Sequence, residues 1–144
     1  MVLVSMRIIN KIFFVFILAF LISCEDQGVI IKCPDCLKDE PVNTDLSIKL
    51  DGQFYGQATL ITVYEGNLED SVIYTILTTG YADATVNVSL NKKYTLTATY
   101  YKSDNYYITV DSATPRVRYD KTQCDDPCYF VYDKSIDLRL KYSK

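Results

Sequence analysis

From Thr44 onward, apolar and polar residues alternate in short runs separated by Gly, Asn and Asp, which is the period of half-buried strands. Asp45 to Asp51 sets Leu46, Ile48 and Leu50 against Ser47 and Lys49, and Asp51-Gly52 supplies the turn that follows. Thr59 to Tyr64 and Val72 to Thr79 are rich in β-branched residues and carry apolar side chains on both faces, as central strands do. Glu65-Gly66-Asn67 joins them as a hairpin-like connection. Thr85 to Leu90 alternates Val86, Val88 and Leu90 with Thr85, Asn87 and Ser89. The cleanest run places Tyr94, Leu96, Ala98 and Tyr100 on one face and Thr95, Thr97 and Thr99 on the other, so a one-residue slip would expose its whole apolar set. Tyr106 to Val110 follows across Lys102-Ser103-Asp104-Asn105, and Arg116 to Tyr119, opened by Pro115, suits a sheet edge. Ile136, Leu138, Leu140 and Tyr142 alternate with Asp137, Arg139 and Lys141 as a last half-buried strand. About seven to nine such strands at regular spacing, with no helical period between them, predict an all-β domain: a single antiparallel β-sandwich with Greek-key connections.

Ahead of that domain the pattern changes. An apolar run from Ile12 to Ile22 follows Arg7 and Lys11 and falls far short of the ~20 residues that cross a bilayer, so it reads as the core of a signal peptide. It closes on Leu21-Ile22-Ser23-Cys24, which resembles the lipobox of bacterial lipoproteins at every position. The resemblance implies diacylation of the Cys24 sulfur, cleavage between Ser23 and Cys24, and acylation of the new N-terminus. Three acyl chains together would hold a domain on a membrane essentially for good. The chain then divides into a signal peptide at 1–23, a lipidated Cys24 with an irregular tether at 24–43, and the sandwich domain at 44–144. Gly28, Pro34, Pro41 and the surrounding charges give the tether no regular period.

Two further stretches carry a resemblance. Glu25-Asp26 after the lipidated Cys resembles the surface-export signal of Bacteroidota-type lipoproteins, which implies the outer membrane and, in one version, its outer face. The turn and Tyr-x-Leu-x-Ala-x-Tyr strand between Leu90 and Tyr101 resemble the prealbumin-like and immunoglobulin-like sandwiches common in exported proteins of that type. A shared sandwich implies no activity.

Charge narrows the partners. Removal of the leader takes Arg7 and Lys11 and no acid, so 15 basic residues become 13 against 18 acidic ones and the net charge moves from -3 to -5. A mildly acidic domain lacks the clustered Lys and Arg that phosphate contacts need, which excludes nucleic acid.

With Cys24 acylated, Cys33, Cys36, Cys124 and Cys128 remain, an even number suited to disulfides in an oxidising envelope. Four cysteines allow three pairings: one with two local bridges, and two that tie the tether to the Cys124–Cys128 loop. Loop-closure entropy favours the cross-linked pair of arrangements, because a loop of about 90 residues removes more unfolded-state freedom than a short one. Two other chemistries have the right spacing. Cys33-Pro34-Asp35-Cys36 matches a dithiol oxidoreductase site, but such sites sit where a strand meets a helix N-terminus, and here no βαβ pattern surrounds it. The four sulfurs also offer a tetrathiolate zinc site.

The chain has no His, so it holds no Ser-His or Cys-His pair, and it carries no nucleophile elbow. The adjacent carboxylates Glu69-Asp70 and Asp125-Asp126 diverge on an extended chain, which is poor geometry for glycoside hydrolysis. Asp125 and Asp126, with Asp120 and Asp133, are better read as solvated loop acids than as a calcium site. Thirteen tyrosines suit strand packing first and a recognition surface second, while the absence of Trp speaks against a carbohydrate platform. Asp70-Ser71-Val72 and Asp111-Ser112-Ala113 resemble the O-glycan acceptor motif of exported Bacteroidota-type proteins, which makes Ser71 and Ser112 candidate modification sites. The expectation is an outer-membrane lipoprotein held by Cys24, with no catalytic residue, metal site or cofactor. Its sandwich serves as a binding or assembly module for a protein or glycan partner; the alternative is a structural accessory subunit of an envelope complex.

Overall fold

The computed structural model describes residues 32–141. Cys24, the leader at 1–23, the first part of the 24–43 tether and Tyr142 lie outside the described residues. The described chain is all-β, with nine strands: β1 (Asn43–Lys49), β2 (Thr59–Glu65), β3 (Ile73–Thr79), β4 (Asp83–Ser89), β5 (Tyr94–Lys102), β6 (Asn105–Ala113), β7 (Arg116–Asp120), β8 (Cys128–Tyr132) and β9 (Ser135–Asp137). They form a three-stranded sheet of order β4-β1-β9, a four-stranded sheet of order β3-β2-β5-β6, and a β7-β8 ribbon. The two larger sheets pack as a sandwich.

The alternation read from the sequence points inward as expected. Leu46, Ile48, Val88 and Ile136 from one sheet meet Ile61, Val63, Leu96 and Ala98 from the other, all within 1% of full burial. Each aliphatic side chain so buried contributes about 1.5–3 kcal/mol. Between the layers, Tyr100 Oη accepts the Asp51 N–H at 3.1 Å and donates to the Leu138 carbonyl at 2.9 Å, so a buried hydroxyl ties β5 to the chain just beyond β1 and β9 of the opposite sheet. Phe54, in a 3₁₀ turn that the Asp51 carboxylate caps through the Gln53 N–H, packs on the Tyr100 ring at 4.7 Å.

Turn chemistry fixes the registers. The β5–β6 hairpin closes on Ser103 and Asp104, both with positive φ, the type I′ geometry whose twist matches the flanking strands. Between β2 and β3 stands Gly66 at φ 89°, followed by a 3₁₀ turn, Leu68–Asp70, whose Asp70 carboxylate accepts the Asn67 N–H at 3.0 Å.

Four expectations change. Val72 to Thr79 is an edge strand: β3 pairs only with β2, and its outward Ile73 and Ile76 stay more than half exposed. Not every pair is antiparallel, because β9 runs parallel to β1. The last ladder is short, since only Ser135–Asp137 pairs, and Leu138 continues on a single N–H to the Lys49 carbonyl. Cys128–Tyr132 forms a strand that alternation did not reveal, because its Cys-Tyr-Phe-Val-Tyr run has no polar period. The irregular tether, in turn, is tied down: Leu37 exchanges both backbone hydrogen bonds with Tyr129, each at 2.8 Å.

Candidate interaction face and cysteine cluster

Cys33 opens a 3₁₀ turn, Cys33–Asp35, with Cys36 just beyond it, while Cys128 opens β8 and Cys124 lies in the loop before it. The sulfurs pair as Cys33–Cys124 and Cys36–Cys128, with Cα separations of 5.7 and 5.4 Å. This is one of the two cross-linked arrangements. The pairs lie side by side, Cys36 Sγ standing 3.5 Å from Cys124 Sγ. Among the described residues, Cys36, Cys124 and Cys128 are the converging group of potential metal ligands, their sulfurs within 4.8 Å of one another. Bonded sulfur is not a thiolate, so both bridges would have to be reduced before a metal could be held with zinc–sulfur distances near ~2.3 Å. The three-residue turn at Cys33 also lacks the helix dipole that activates a dithiol. In this arrangement the cysteines act as a double staple.

Two of the four loop acids accept backbone N–H groups. Asp120 Oδ1 accepts the Gln123 N–H at 2.7 Å and the Thr122 N–H at 2.8 Å, bonds that hold its carboxyl below the usual range. Asp133 accepts the Thr114 N–H at 2.8 Å, and Asp125 and Asp126 are exposed. Ser71 stands exposed with a left-handed backbone at the end of the Leu68–Asp70 turn, and Ser112 stands exposed on β6. The tyrosines divide by role. Tyr94 and Tyr100 are core, and the Tyr74 ring meets Tyr94 edge-on at 5.4 Å while its hydroxyl donates to the Asn87 carbonyl of the opposite sheet. Tyr101 and Tyr106 form an exposed pair with ring centroids 5.0 Å apart.

That pair belongs to a surface the sequence reading did not identify. With Ile61, Val63, Leu96 and Ala98 pointing inward, strand alternation turns their neighbours outward. The registers then set Thr78, Leu60, Thr99 and Ile108 in one row across the four-stranded sheet and Ile76, Thr62, Thr97 and Val110 in the next. Tyr101 and Tyr106 extend it at one end; Tyr64, Thr95 and Ser112 extend it at the other. No outward position in these rows is charged. Leu60 is 44% exposed, Ile76 55%, Ile108 64% and Val110 52%. The outer face of the other sheet is ordinary by comparison, with Asp45, Lys49, Asp83 and Asp137 on it.

At the Thr95 end the face deepens into a groove of about 380 Å³, walled by Asn67, Leu68 and Glu69 on one side and Val110 and Ser112 on the other, with the charged Lys93 and Asp111 also in its lining. Thr95 Oγ1 donates to the Gly66 carbonyl at 2.7 Å, and Lys93 Nζ reaches Asn67 Oδ1 at 2.6 Å, so the 66–70 connection is held as a fixed wall. The sequence signal for the face was the Thr-x-Thr-x-Thr alternation of β5; its apolar borders come from strands whose neighbours the sequence did not name. No protein-family model, curated protein or solved structure matches this chain.

Proposed function

We propose that this chain is an outer-membrane lipoprotein of the Bacteroidota type, held by acyl chains on Cys24, whose disulfide-stapled sandwich is a non-catalytic binding or assembly module. The uncharged outer face of the four-stranded sheet is the observation that supports it. A solvated sheet face normally carries charge, and an apolar patch of this extent on a folded domain marks a contact surface. The cysteine arrangement supports the same reading from another side. Exported chains use bridged cysteines for stability, and these four leave the lipidated end only a short tether before Cys33. No helix among the described residues is long and apolar enough to cross a membrane.

Two measurements test the reading. Metabolic palmitate should label the full chain and should be lost from a Cys24→Ser variant; label retained on that variant would sink the anchor. Protease added to intact cells, with a periplasmic protein as leakage control, reports the side of the membrane. Loss of the domain places the module outside and directs the search to protein or glycan partners there. Protection places it in the periplasm and favours the accessory-subunit version.

A further inference from the structure

We infer that the uncharged face binds a second copy of this chain, the two faces packed about a two-fold axis that crosses their strands. The inference rests on the assembly reading above and names the surface and the occupant. Three observations carry it.

The first is area. At the fractional exposures of Leu60, Ile73, Ile76, Tyr101, Tyr106, Ile108 and Val110, each against a full side-chain area of ~150–200 Å², the face leaves roughly 700 Å² of apolar surface in water. That exceeds the ~300–600 Å² of the largest patch on a typical monomer. It approaches the ~800 Å² that each partner of a standard interface buries.

The second is electrostatic. A face carrying charge of one sign repels its own copy, whereas the sheet rows of this one carry none, and the charges nearest to it, Glu69, Lys93 and Asp111, are of both signs and line the groove at one end.

The third is shape, and it selects the symmetry. Tyr106 is 72% exposed and stands at one end of β6, while the groove beside Val110 and Ser112 lies at the other end, about 20 Å away at ~3.4 Å per residue. A two-fold axis perpendicular to the strands lays β6 antiparallel over β6 of the partner. Each Tyr106 then sits over the other copy's groove, and Ile108 meets Val110. A knob and its hole on one patch, exchanged by one rotation, make an isologous interface that closes on two copies. Face-to-face sheets at ~10 Å interdigitate side chains in the same way.

The test uses the full chain in cells, with the photoreactive p-benzoyl-phenylalanine placed at Ile108 and, as control, at Thr85 on the outer face of the other sheet. Irradiation should convert the Ile108 version to an adduct of twice the chain's mass, its cross-linked peptides both from this protein, and should leave the Thr85 version monomeric. No adduct at 108, an adduct with any other molecule, or equal adducts from both positions overturns the inference. A Tyr106→Glu variant should lower the adduct at least tenfold with both disulfides formed and the circular dichroism unchanged, because the knob's apolar area is lost and its carboxylate would be desolvated in a groove that holds two carboxylates, Glu69 and Asp111, against one ammonium, Lys93. An undiminished adduct with that variant overturns the knob-in-groove geometry. Repeating the cross-link in the Cys24→Ser background separates the two readings: the adduct follows the face, and the palmitate label follows the anchor.

Discussion

Tyr100 shows how much one side chain does in this fold. Its ring supplies core volume and its hydroxyl satisfies two backbone groups that would otherwise be buried unpaired, the Asp51 N–H and one lone pair of the Leu138 carbonyl. Thr109 Oγ1 also donates to that carbonyl at 2.7 Å, so Tyr100→Phe strands chiefly the Asp51 N–H. The variant should lose about 1–3 kcal/mol in urea unfolding. Tyr101→Phe, which removes an exposed bond to Asp104, should change stability by less than ~0.5 kcal/mol. The sequence showed that Tyr94, Leu96, Ala98 and Tyr100 share a face, because a period of two is a local property. It did not show which backbone groups the Tyr100 hydroxyl reaches, since these lie 49 and 38 residues away and meet it only after the layers close.

Among the strands of the described residues, β9 is the shortest. Three residues pair in parallel with β1, and the strand is held from the side by Asp111, whose carboxylate accepts the Asp137 N–H at 2.9 Å. Just beyond, Asp137 takes two contacts from the Arg139 guanidinium, at 2.8 and 2.7 Å. That guanidinium holds the Asp137 carboxyl well below the usual carboxylate range. Its folded-state pKa is therefore lower than the unfolded one, so the stability it contributes is present above the ordinary value of ~3.9 and is lost as pH falls below it. Asp120, lowered by its backbone donors, acts with the same sign. The unfolding midpoint should fall on acidification below that value, and Asp137→Asn should flatten the fall; an unchanged slope would show that the pair contributes nothing in solution. The pattern of Ile136 and Leu138 predicted a half-buried end to the chain, yet it could not say that the partner would be β1 or that the pair would run parallel. The same limit applied to β3, whose apolar residues on both faces suggested a central strand when the outward set stands exposed at a sheet edge.

At the scale of the whole molecule, the two bridges close nearly the same loop, 91 and 92 residues in sequence. With one in place the other closes only a few residues on each side, so replacing either pair by Ser should cost roughly 2–3 kcal/mol and replacing both about 7. A double loss no larger than the sum of the two single losses in chemical unfolding would mean that the bridges act independently. By itself the sequence determined the strand periods, the inward faces of β1, β4 and β5, the tendency of the cysteines to bridge, and the lipobox resemblance at Cys24. Each of these depends on a few neighbouring residues or on loop length alone. Only the tertiary structure decided which cysteines pair, which strands stand at the edges, and that Leu60, Ile76, Thr97 and Ile108 lie in one uncharged surface. Those residues come from four strands, and what sets them side by side is sheet order: a choice made by packing one apolar face on another, which no local pattern encodes.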